Sequence, residues 1–131
     1  MTPPNLRRIL LVEDEPDIQF VARLALENVG GFEVEVCTSG REAIAKAPSM
    51  GPDLILLDVL MPEMDGPSTL RELRKIPVLA RTPVVFLTAK VQAHEVENYR
   101  QIGALDVIPK PFDPMGLADA VKAIWARAHA G

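Results

Sequence analysis

The sequence predicts an α/β fold, a doubly wound parallel sheet of five strands with five helices, and three observations carry that expectation. Four short apolar runs punctuate the chain: Ile9 to Val12, Leu54 to Leu57, Val84 to Leu87 and Val107 to Pro109. Continuous apolar runs of this length, bounded by polar or turn residues, read as strands buried on both faces, as in a parallel sheet. The segments between them have helical periodicity, and right-handed crossovers would place those helices on both faces of the sheet. Each run also ends in a charged or hydroxylated residue: Glu13-Asp14, Asp58, Thr88 and Lys110. An open parallel sheet carries its ligand crevice at the carboxyl ends of its strands, so these four termini can meet.

Taken in order, a strand at about 8–13 leads to a helix from about Pro16 to Asn28, with proline suited to the first turn and Gly30-Gly31 to the stop. Residues 32–37 alternate apolar and charged, as a strand nearer the sheet edge would. Ser39 and Glu42 have the spacing of a capping box and open a helix to about Ala47. A strand at 53–57 and a loop from Val59 to Gly66 lead to a third helix beginning at Pro67, with Leu70, Leu73 and Ile76 on one face. A strand at 83–87 precedes a helix at about 92–102, closed by Gly103. The last strand covers 105–108, and a helix from about Pro114 to Ala128 sets Leu117, Val121, Ile124 and Trp125 at core spacing. Pro3-Pro4 reads as a disordered lead and Ala126 to Gly131 as a fraying end.

A chain of 131 residues is expected to form one domain, 1–131 with its core at about 7–128. A formal charge of −4 argues against direct binding to nucleic acid or to an anionic membrane. Cys37, the single cysteine, allows no internal disulfide and reads as core filler. No signal-peptide core and no apolar run long enough to span a membrane is visible, so a cytoplasmic location is expected.

Carboxylates converging on one crevice repel one another unless protonated or neutralised by a cation. Oxygen donors without a nearby His or Cys favour Mg²⁺, or Mn²⁺, and Glu13, Asp14 and Asp58 fit that donor set. An aspartate can accept a phosphoryl group when the group is held in line and its charge is stabilised. The metal and Lys110 would supply that stabilisation, and Thr88 a hydroxyl for a phosphoryl oxygen.

These residues, with the local motifs Leu11-Val12-Glu13-Asp14-Glu15, Leu57 to Gly66, Leu87-Thr88-Ala89 and Lys110-Pro111-Phe112, resemble the bacterial two-component response-regulator receiver domain, and in spacing its single-domain chemotaxis-type members. The resemblance covers about residues 7–128. It implies the flavodoxin-like strand order 2-1-3-4-5, Asp58 as phosphoacceptor, and Asp14 as a direct Mg²⁺ ligand. It also implies Glu13 acting mostly through bound water, the backbone carbonyl of Leu60 as a further ligand, Thr88 and Lys110 on the phosphoryl group, and a cis Lys110-Pro111 peptide. The implied partners are a sensor histidine kinase or histidine phosphotransfer protein and a downstream protein target, with a homodimer through the fourth helix, last strand and last helix as a further option. The resemblance further implies self-phosphorylation and self-dephosphorylation rather than metabolic catalysis.

Singly, each residue has a plainer reading: Glu13-Asp14 as helix-start acids, Asp58 as a loop residue, Thr88 as a helix cap, Lys110 as a surface lysine. Only their joint spacing outweighs these. His94 and His129 are expected to face solvent, and Met61 and Met64 to serve local packing. Departures from the family pattern are Glu13 in place of aspartate, Val107 where an aromatic ring is frequent, and Leu60 and Lys90 at the positions that tune acyl-phosphate lifetime. Two rivals stand beside this reading. A haloacid-dehalogenase-like phosphatase needs a second aspartate where Leu60 stands, and a phosphorylation-independent interaction module would be expected to have lost site residues that are all present.

Overall fold

In the computed structural model, which describes residues 5–129, five parallel strands form one sheet. They are β1 (Arg8–Val12), β2 (Glu33–Cys37), β3 (Leu54–Asp58), β4 (Val84–Thr88) and β5 (Asp106–Pro109), and their order is β2-β1-β3-β4-β5. Five helices follow them in turn: α1 (Pro16–Leu24), α2 (Gly40–Met50), α3 (Gly66–Arg74), α4 (Ala93–Gln101) and α5 (Leu117–Ala128). The expected fold class and strand order are therefore those observed. Pro3-Pro4 and the last two residues, Ala130-Gly131, lie outside the described residues.

Side chains alternate along a strand, so one apolar run serves two cores. Ile9, Leu11, Leu54, Leu56, Val85, Leu87 and Ile108 face one side and pack with Ala22, Leu26, Leu117, Val121 and Ile124 beneath α1 and α5. Leu10, Val12, Ile55, Leu57, Val84 and Phe86 face the other and pack with Ala43, Ala47, Leu70 and Leu73 beneath α2 and α3. Burial on both faces is why β1, β3 and β4 lack polar alternation, and it leaves their carboxyl ends as the place where polar side chains converge.

Helix boundaries depart from the sequence expectation where turn chemistry competes with helix propensity. The first helix does not remain α-helical to Asn28: after Leu24 it continues as a π-helical turn, Ala25–Val29, closed by Gly31 at φ +73. A side chain at Gly30 would meet the Phe32 ring at 2.7 Å, so glycine there lets Phe32 seat in the core. The last helix starts at Leu117 rather than Pro114, because the Asp113 side chain accepts from the Met115 amide (3.1 Å) and holds a turn there. Asp65 is the N-cap of α3, accepting from Ser68 N–H at 2.8 Å, and Ile76 lies beyond that helix. Ser39 caps α2 as expected, but Glu42 reaches back to Thr38 rather than completing the box on Ser39. His129 is half-buried, stacked on Trp125 with ring centroids 4.2 Å apart, and not solvent-facing as expected; His94 is exposed.

Candidate functional site

β1 hands its last buried residue, Val12, to Glu13, whose main-chain N–H donates to the Cys37 carbonyl at 3.0 Å. The Glu13 carboxylate is fully buried. One oxygen accepts from the Glu15 amide at 3.2 Å and the other from the Lys110 ammonium at 3.0 Å. β3 delivers Asp58, 2% exposed, to the same crevice, where Lys110 reaches it at 3.2 Å. Glu13, Asp14 and Asp58 bring one carboxylate oxygen each within 4.8 Å of the others.

Three acids and one ammonium leave the crevice short of positive charge. Burial pushes Glu13 up to about 7, against the pull of the Lys110 hydrogen bond. Asp58 is raised as well, again by burial, which outweighs the charge and hydrogen bond of Lys110. Burial works against the Lys110 ammonium too, but the hydrogen bond to Glu13 and the charges of Asp58 and Glu13 outweigh it and hold lysine protonated. Asp14 Oδ1 is buried without a hydrogen-bond partner, the one such side-chain atom among the described residues. A carboxylate oxygen left so is costly unless a cation completes it, which is the observation that fits a divalent ion to this donor set.

Thr88 ends β4 and is 2% exposed. Its hydroxyl accepts from the Lys90 amide at 3.1 Å, so it caps a turn and not the following helix, whose N-cap is Gln92. Lys110 follows β5, its amide donating to the Thr88 carbonyl at 2.9 Å, and the Lys110-Pro111 peptide is cis. Thr88, Lys110, Asp58, Leu60, Ala89 and Glu15 line a cavity of 130 Å³ at the strand ends. Leu60 stands at its mouth, 65% exposed.

Glu13, Asp14, Asp58, Leu60, Thr88 and Lys110 therefore lie at one crevice, and residues 9–122 match the response regulator receiver domain. The chain belongs to that family. The receiver is 37% identical to the transcriptional regulatory protein TrcR of Mycobacterium tuberculosis, over 92% of this chain and 46% of that protein. It is 38% identical to the transcriptional regulatory protein ResD of Bacillus subtilis, over 98% and 52%. The chain thus spans about half the length of these curated relatives. Among solved structures it is similar to Vibrio cholerae chemotaxis protein CheY4, with TM-score 0.84 and 30% identity over 92% of this chain and 99% of that one. The receiver domain of the Pseudomonas aeruginosa sensor histidine kinase PA1611, a structure with a magnesium ion coordinated in its active site cleft, gives TM-score 0.79 and 32% identity over 97% and 100%.

Two features were not singled out from the sequence. Gln19 on α1 donates its side-chain N–H to the Glu13 carbonyl, and Asp106 at the start of β5 accepts from Arg100 of α4 (3.0 Å) and Arg127 of α5 (3.2 Å). A polar residue on a helix, or a charge at a strand start, reads by default as surface, and no local motif marks either one. No helix among the described residues is long and apolar enough to cross a membrane.

Proposed function

We propose that this receiver accepts a phosphoryl group on Asp58 from a histidine kinase or a histidine phosphotransfer protein, and that the modified protein changes its affinity for a downstream protein target. The observation that carries the reading is the convergence of a buried Asp58 with the Lys110 ammonium and with the unpartnered oxygen of Asp14. In the transfer an Asp58 oxygen forms the new bond to phosphorus while the bond from phosphorus to the donor's imidazole nitrogen breaks. Lys110 offsets charge on the moving group, and the Thr88 hydroxyl, already accepting from Lys90, has its proton to donate to a phosphoryl oxygen. Glu13, Asp14 and Asp58, with the Leu60 carbonyl, are the groups that would hold Mg²⁺ or Mn²⁺, which when bound supplies charge neutralisation at the same oxygens.

A protein donor is supported by the surface beside the crevice. Val21 lines an apolar hollow with Lys110, Pro111 and Phe112, and the exposed side chains of Leu24, Val29 and Met115 continue that apolar surface from Val21. A homodimer through α4, β5 and α5 remains part of the proposal, with no direct nucleic-acid contact, and the buried, unpaired Cys37 agrees with a cytoplasmic location.

Incubation with Mg²⁺ and a small acyl phosphate donor is expected to add one phosphoryl group that hydroxylamine removes. Asp58→Asn is expected to add none. Incorporation in Asp58→Asn equal to that of the parent overturns the assignment. A haloacid-dehalogenase-like activity would instead show turnover of phosphomonoesters, for which position 60 offers leucine in place of a general acid.

A further inference from the structure

The Glu13-Asp14-Glu15 segment leaves the sheet at the end of β1 and must hold two carboxylates toward a third. Chain leaving a sheet is ordinarily the least fixed part of an α/β unit, because its main-chain groups no longer have strand partners. Here one residue takes up both carbonyls that flank Asp14. The Gln19 side chain donates to the Glu13 carbonyl, and the Gln19 main-chain N–H donates to the Glu15 carbonyl at 2.9 Å. The second bond is one that any residue at this point of α1 would make. The first depends on the carboxamide, whose length and N–H are matched to a carbonyl six positions earlier.

We infer that Gln19 is a positioning residue for the divalent-cation site, bracketing Asp14 between two fixed carbonyls so that its buried, unpartnered oxygen stays aimed into the crevice. This rests on the metal-dependent reading above. Gln19 touches no reacting atom; it acts through the main chain of Glu13 and Asp14. Without its side-chain bond the Glu13 carbonyl must find water and the turn gains freedom. Ordering the turn would then draw on the free energy of cation binding, which is how outer partners of metal ligands influence affinity.

The test is Gln19→Met, which keeps length and helix propensity and removes the donor, with Gln19→Ala as a second variant and Phe20→Ala, on the exposed side of the same helix, as a control. Free Mn²⁺ is read by electron paramagnetic resonance, without any phosphoryl donor. The dissociation constant is expected to rise about tenfold in both Gln19 variants and to stay at the parental value in Phe20→Ala. In metal-free protein the Asp14 and Glu15 amides are expected to exchange faster. With the acyl phosphate donor, the Mg²⁺ concentration for half-maximal incorporation should shift by the same factor, while the rate at saturating Mg²⁺ equals that of the parent. Unchanged Mn²⁺ affinity in folded Gln19 variants overturns the inference, as does an equal loss of rate at limiting and saturating metal. A parent that binds no Mn²⁺ would instead overturn the metal reading itself.

Discussion

Lys110 donates to the fully buried carboxylate of Glu13 across 97 residues of sequence. The bond ties the loop after β5 to the end of β1, and it places a protonated amine inside a cluster of acids before any other cation arrives. One ammonium cannot balance three carboxylates. The crevice is thus electrostatically unfinished, and most of its measurable behaviour follows from that.

The first consequence is an inverted pH dependence of stability. Burial raises Glu13 from 4.5 to about 7, so between those values the folded protein holds a proton that the unfolded chain has released. Stability contributed by this group is complete below the lower value and is lost as pH rises through the upper one. In chelator, the metal-free protein is expected to lose on the order of 2 kcal/mol between about pH 5 and about pH 8, with Asp58 adding in the same direction. Glu13→Gln and saturating Mg²⁺ should each flatten the profile. Urea denaturation across that range is the measurement, and a profile rising with pH contradicts the reading.

Mg²⁺ should raise the unfolding temperature by mass action, and Asp14→Ala should remove that response. Because one repelling charge leaves a buried site, the metal-free Asp14→Ala protein is expected to unfold at or above the temperature of the metal-free parent. Differential scanning calorimetry with Mg²⁺ and with chelator separates the two effects. An equal Mg²⁺ response in parent and Asp14→Ala would contradict the assignment of Asp14 as ligand.

Thr88→Ala should leave Asp58 able to accept a phosphoryl group but uncouple the modification from partner binding. The Lys90 amide it now satisfies lies at an exposed residue and can turn to water, so the stability cost should stay below about 1 kcal/mol. Amide exchange with and without a phosphoryl mimic is expected to change over residues 89–96 in the parent and to stay unchanged there in the variant. A large change elsewhere, with 89–96 silent in the parent, contradicts this route.

Asp106 bonds Arg100, Arg127 and its own neighbouring amide, that of Val107 (2.9 Å), and so joins α4, β5 and α5. Both guanidinium groups are more than half exposed, which limits the ion pairs to a modest, salt-sensitive contribution. Asp106→Ala is expected to cost about 1 kcal/mol in dilute buffer and less in high salt. Equal cost at both ionic strengths would mean that packing, not charge, holds the three elements together.

How far the sequence could be read depended on the kind of force involved. The runs at Ile9, Leu54 and Val84 were legible because burial on both faces leaves a local pattern, and Asp58 and Lys110 because strand ends fix where they emerge. The π-helical turn at Ala25–Val29 and the delayed start of α5 were not, since each depends on one contact, Phe32 against Gly30 and Asp113 with Met115, that propensity does not register. Gln19 and Asp106 escaped for a similar reason: their meaning lies in partners brought close only by the fold.

Helix α4 has no buried residue; its ties to the body include the Tyr99 ring, edge-on to Phe86 at 5.2 Å, and the Arg100 pair with Asp106. Both anchors sit toward its carboxyl end, so the end beside Thr88 is expected to be the looser one. An arm held in this way opens at little cost. A single new hydrogen bond, worth about 1 kcal/mol, then shifts its population several-fold. The same looseness has a companion in the proposed switch: the arm is expected to visit its signalling position without any phosphoryl group, and a switch built this way leaks.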